Sequence, residues 1–184
     1  MSDARGEILV IGIGNVLLRD DGVGVRVVDA LGRLAERDPG LLPPGTRLLD
    51  GGTLGLGLLA HFEGARAVLI VDAVDRGQAP GTVSVLRGAA VAEAGSRTGG
   101  MNPGGLAGLL ATASLLGVLP AAVTVLGIEV AEIGVGLALS REIDAVLPAA
   151  LDAARRELHA LDAIAAARGP GRAVLTSKLA GTMA

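Results

Sequence analysis

The hydrophobic pattern is clearest from Ile8 to Val28, ILVIGIGNVLLRDDGVGVRVV. An unbroken β-branched and aliphatic run ends at Gly12 and Gly14, as in a strand buried on both faces that enters a tight turn. After Asp20, Asp21 and Gly22, apolar residues at Val23, Val27, Ala30, Leu31 and Leu34 fall at helical spacing. They predict a helix that fades between Arg37 and Gly40. Two carboxylates therefore sit in a turn at the carboxyl end of a buried strand.

Further runs follow the same logic. LLPPG is a rigid connection, and Thr46 to Leu49 predicts a second strand that stops at Asp50-Gly51-Gly52-Thr53. Leu54 to Phe62 is too leucine-dense for a clean amphipathic period, but its place between strands favours a short helix. Ala67 to Val74, AVLIVDAV, is a third strand whose one ionisable residue is Asp72. A charge in such a run is costly unless the strand is ending or the group is used. Gly81 to Leu86 alternates after Pro80 and predicts an edge strand, antiparallel to its neighbour. From Arg87 to Gly105 the chain is rich in Gly and Ala, which predicts a long mobile loop bordering the site. Leu106 to Leu116 predicts a helix of small residues, and Ala122 to Ile128 a fifth strand ending at Glu129. A last helix runs from Ser140 to about Ala167, with Ser140 as its N-cap and Glu142 and Asp144 in its first turn. Pro148 marks either a kink in that helix or its true start.

This alternation predicts an α/β fold: a twisted, mostly parallel five-stranded sheet with helices on both faces. Right-handed crossovers place the first strand centrally, with the second and third on either side, so strand order reverses between strands one and three. Asp21 and Asp72 then face one crevice, close enough to share an ion.

Composition narrows the function. The 184 residues suit one domain over 1–167, followed by a flexible tail over 168–184. Although 51% of residues are hydrophobic, the apolar runs break before the ~18 residues a membrane span needs. No secretory signal is legible in MSDARGE, so a cytoplasmic, monomeric protein is expected. There is no cysteine, which excludes disulfides, thiolate nucleophiles and zinc–thiolate sites. The net charge of −3 and a single aromatic residue, Phe62, argue against nucleic-acid partners.

GIGNVL resembles a dinucleotide fingerprint only in part, because Leu17 occupies the third glycine position and two acids would repel a pyrophosphate. Either Asp20 or Asp21 is expected to cap the following helix, leaving the other free. Two carboxylates converging on a sheet edge suit a divalent ion or a polarised water, against a purely structural role. His61 and His159 lie away from the predicted site, and neither HExxH nor a Ser-His-Asp set is present. Asp50 either faces a ligand or forms an Asp-Gly turn. Glu129 either joins the same edge or is a solvated loop acid.

Taken in order, ILVIGIGNVLLRDDGVG, LLDGGTLGLGLL, VLIVDAV followed by APGTVSVLR, and VLGIEVAEIGVGLALS resemble the successive motifs of the hydrogenase maturation proteases. The resemblance spans about residues 8 to 160. It implies an endopeptidase that removes the C-terminal extension of a nickel-iron hydrogenase large-subunit precursor after nickel insertion. The family meets its metal through an acid after strand one, an aspartate ending strand three and a histidine before a later helix. The first two match Asp21 and Asp72, which are thereby implied as catalytic and metal-binding. The third does not match, since MNPGGLAGLL places Gly104 at the histidine position. The missing ligand then comes from Asn102, from His61 or from the substrate, with nickel read in the precursor and not held tightly by the free protein. Oxygen ligands alone would shift preference from nickel toward magnesium, calcium or manganese. The same gap keeps a second reading open, a non-catalytic binder of a metalloprotein precursor. Asp50, Gly51, Gly52 and Thr53, with Asn102 and Glu129, are the implied substrate-binding residues.

Overall fold

A computed structural model describes residues 6–87, 90–91 and 105–168. The two-sided apolar runs form the middle of its sheet. β1 (Glu7–Ile13), β3 (Ala65–Val74) and β5 (Ala122–Glu129) are parallel neighbours. β2 (Thr46–Gly52) flanks β1 in parallel, and β4 (Val83–Arg87) closes the far edge antiparallel to β5. The order is β2-β1-β3-β5-β4, so β1 has β2 on one side and β3 on the other, as the crossover rule requires.

Period-two alternation sends successive residues to two separate cores. Ile8, Val10, Leu69 and Val71 face helices α1 (Val23–Arg37) and α4 (Arg141–Arg168). Leu9, Ile11, Val68 and Ile70 face Phe62 of α2 (Leu59–Phe62) and Leu109 of α3 (Leu106–Leu115). The expected helix over Leu54 to Phe62 is in fact a 3-10 turn at Gly55–Leu58 followed by the four residues of α2. α4 is already helical from Arg141, so Pro148 lies inside it and does not start it. Ion pairs hold α4 to the strands: Arg66 with Asp162, and Arg87 on the edge strand with both carboxylate oxygens of Glu157. Among the described residues no helix is long and apolar enough to cross a membrane. The mobility expected of the loop before Gly105 and of the tail after Arg168 concerns segments outside the described residues.

The glycines of the first motif bring α1 against the sheet. A Cβ on Gly12 would stand 2.4 Å from the carbonyl oxygen of Gly24, and one on Gly24 would stand 2.3 Å from that of Val71. The helix start thus packs directly on the β1 and β3 backbones, which any side chain would push away. Gly24→Ala is expected to destabilise the protein by about 3 kcal/mol, in the range of overpacked cores. Urea denaturation checks this, and an unchanged midpoint would show that the contact yields easily.

Candidate active site at the carboxyl edge of the sheet

β1 leaves the sheet at Ile13 and turns through Asn15 into a 3-10 turn, Arg19–Gly22, before α1 begins. Gly14 takes φ +130, and a Cβ there would fall 1.8 Å from the Asp21 carbonyl oxygen, so the turn closes only over glycine. The Asn15 side-chain oxygen accepts the Leu17 N–H at 3.0 Å, shaping the turn. The Asn15 backbone N–H donates to Asp21 Oδ2 at 2.6 Å, and this bond aims the half-buried Asp21 carboxylate.

Asp72 lies near the end of β3, opposite Gly127 of β5, and is likewise half-buried. Its carboxyl pKa is pushed up to about 7, first by burial and then by the negative charge of Asp21, against one hydrogen bond from the Ala73 N–H. The two carboxylates therefore interact across the crevice at the point where strand order reverses, which is where open α/β sheets bind ligands. A cation placed between two such oxygens relieves both burial and repulsion, so this donor pair fits a metal ion. Among the described residues no three His, Cys, Asp or Glu side chains cluster to hold one.

Neither aspartate caps α1: its N-cap is Gly22, with no side-chain bond. Asp20 has a different task, which the sequence did not disclose. It is fully buried, and its Oδ2 accepts the N–H groups of Ala131 and Glu132 at 3.1 and 2.8 Å and the Ser140 hydroxyl at 2.8 Å. Its Oδ1 accepts the Ser140 N–H at 2.6 Å. Burial works to raise this carboxyl pKa, but the bonds from Ser140, Glu132 and Ala131 outweigh it and hold the group below its ordinary value. Ser140 is the N-cap of α4 as expected, its Oγ accepting the Ile143 N–H at 3.4 Å. One carboxylate thus fastens the acidic turn to the loop that follows β5 and to the start of the last helix.

Glu129 is not a solvated loop acid. It is 2% exposed, and its Oε1 accepts the N–H groups of Arg76 and Gln78 at 2.7 and 3.0 Å, while its Oε2 has no hydrogen-bond partner among the described residues. It clamps the connection that leaves β3 just after Asp72.

The DGGT segment divides between two faces. Asp50 is exposed and lines a groove of about 400 Å³ beside α1, with Val16, Val25 and Arg26. Gly51 points the other way and is buried, where a Cβ would meet Ile11 at 2.6 Å, so the core uses its lack of a side chain. Gly52, at φ +42, gives its carbonyl to the Gly14 N–H at 3.0 Å, and Thr53 is exposed beside it. This bond ties the segment to the acidic turn.

His61 does not supply the missing ligand. Its carbonyl accepts from Arg47, which also pairs with Glu7 at the start of β1, and so it sits at the amino edge of the sheet. His159 Nε2 lies 3.3 Å from the Leu41 carbonyl, on α4. Asn102 and Gly104 lie outside the described residues.

Known proteins share the sequence and the fold. Residues 25–157 match the family described as hydrogenase maturation protease. The chain is 41% identical over 155 residues to the hydrogenase expression/formation protein HupD of Rhodobacter capsulatus, covering 83% of this chain and 71% of that protein. It is 34% identical over 146 residues to the hydrogenase 2 maturation protease of Escherichia coli (strain K12), covering 79% and 86%. The hydrogenase maturating endopeptidase HybD from E. coli superposes with a TM-score of 0.71 at 31% identity, over 86% of this chain and 93% of that one. By sequence and by fold, this chain belongs to the hydrogenase maturation protease family.

Proposed function

We propose that this protein is the endopeptidase that removes the C-terminal extension of a nickel-iron hydrogenase large-subunit precursor in the cytoplasm, once nickel has been inserted. The observation that carries this reading is the meeting of Asp21 and Asp72 at the strand-order reversal, in a chain of this family. Asp21, aimed by the Asn15 N–H, and Asp72, at the end of a rigid central strand, offer oxygen ligands to nickel carried by the precursor. An incoming ion of that kind polarises a carbonyl or a water beside it. In this reading Glu129 keeps the connection after Asp72 in place, and the exposed Thr53 and Asp50 flank the substrate path.

The family points to a protease, and two carboxylates aimed into one crevice favour turnover over mere binding of the precursor. The test is electrophoretic mobility of the nickel-loaded precursor after incubation with purified protein. Wild type is expected to shorten it. Asp21→Asn keeps an oxygen for the Asn15 N–H, so it should fold normally yet cleave roughly 10²-fold more slowly or not at all, as expected for loss of a group acting at the reacting centre. Undiminished cleavage by Asp21→Asn would remove the carboxylate pair from the mechanism. An uncleaved but bound precursor with wild type would leave the binder as the correct reading.

A further inference from the structure

Beside the acidic turn, the loop after β5 exposes aliphatic side chains that no core uses. Ile133, Val135 and Leu137 are 55%, 89% and 66% exposed, and Leu17 in the facing segment is 58% exposed. The loop is firmly held nonetheless. Leu18 and Gly136 form a parallel bridge, the Gly136 N–H donates to the Leu17 carbonyl at 2.9 Å, and the Arg19 N–H donates to the Gly136 carbonyl at 3.0 Å. The Arg26 guanidinium donates to the Leu137 carbonyl at 2.8 Å. Behind them stands the buried Asp20, bonded to Ala131, Glu132 and Ser140. The aliphatic residues are thus presented on a fixed platform that is continuous with the turn carrying Asp21.

A fixed, exposed aliphatic ridge weakens solubility and adds nothing to folding, so it signals contact with another molecule. Its charge pattern identifies the partner. Ile133 to Ser140 carries no charge; on the side of the turn lie the carboxylates of Asp21 and Asp72, whereas Glu132 is paired with Arg19 and Arg26 bonds the Leu137 carbonyl. A matching surface is apolar opposite the ridge and cationic opposite the crevice. A second copy of this chain, with net charge −3, brings acids against acids. The ridge also offers only a few hundred Å², short of the ~800 Å² per partner typical of a stable dimer.

We propose that Leu17, Ile133, Val135 and Leu137 form the docking ridge for the protein substrate, receiving an aliphatic or aromatic face of the precursor next to its metal centre. This rests on the substrate assigned above. Binding there is brief by design, because the area is small and the product has to leave.

The test measures affinity for the nickel-loaded precursor by biolayer interferometry, separately from cleavage. Leu17→Ser with Val135→Ser alters two exposed side chains and no bonded backbone group, so thermal stability should match wild type. Kd should rise about tenfold or more, as expected for two lost apolar contacts, while kcat at saturating precursor stays within about twofold, as for binding lost equally from ground and transition states. An unchanged Kd would overturn the ridge while leaving the protease intact, and so would a wild-type dimer in sedimentation that the double variant abolishes. A wild type that fails to bind the precursor overturns the ridge as well. Wild type that binds through the ridge without cleaving would instead overturn the endopeptidase and leave the ridge standing.

Discussion

Asp72→Asn is expected to stabilise the free protein at pH 8 while abolishing cleavage. In the folded chain the Asp72 carboxyl titrates at about 7, raised by burial and by Asp21, against about 4 when unfolded. A folded-state pKa raised in this way contributes stability below pH ~4 that is lost as pH rises through 7, because the unfolded chain releases the proton more readily. Three units correspond to at most about 4 kcal/mol. An amide removes that penalty. Urea denaturation should therefore show the variant ahead of wild type by a few kcal/mol at pH 8, with the gap shrinking toward zero near pH 4. Equal stability at pH 8 would mean that Asp72 ionises without cost. Stability gained together with activity lost is the mark of a group kept for chemistry. A residue kept only for structure would lose both.

Asp20→Asn should act in the opposite sense. The Asp20 carboxylate accepts four hydrogen bonds in full burial, and an amide must turn its NH₂ toward donors on one side or the other. Leaving buried donors without an acceptor costs about 3 kcal/mol. The loss should appear in urea denaturation, and hydrogen exchange at Ala131, Glu132 and Ser140 should accelerate with it. Unchanged protection of those three amides would show that the loop is held by other contacts. The pH dependence is also reversed. The folded-state pKa of Asp20 is depressed, so its contribution is present above the unfolded value near 4 and lost as pH falls through the folded one. Asp20 and Asp72 thus pull on stability from opposite sides, with their joint optimum at about pH 4.

Much of the framework was legible because each central strand is buried on both faces. ILVIGI and AVLIV admit no polar residue, and their spacing with the intervening helices leaves one economical sheet order. The meeting of Asp21 and Asp72 followed from that order, since right-handed crossovers place the ends of β1 and β3 side by side. The N-cap at Ser140 was also readable, because capping is a local matter between residues three apart.

What tertiary structure alone decided concerns the partners of polar groups. Asp20 and Asp21 are chemically identical neighbours, yet one is sealed by Ser140, 120 positions away, and the other is aimed into the crevice by Asn15. Glu129 reads as a polar strand end, but its neighbours come from the connection after β3, which shelters it. His61 is near the DGGT segment in sequence but at the opposite edge of the sheet in space, because β3 has yet to run its length before reaching Asp72. Periodicity reports which side of an element is dry, an average over many residues. Which donor meets a given carboxylate depends on where distant segments return, and a single sequence carries no periodic signal for that.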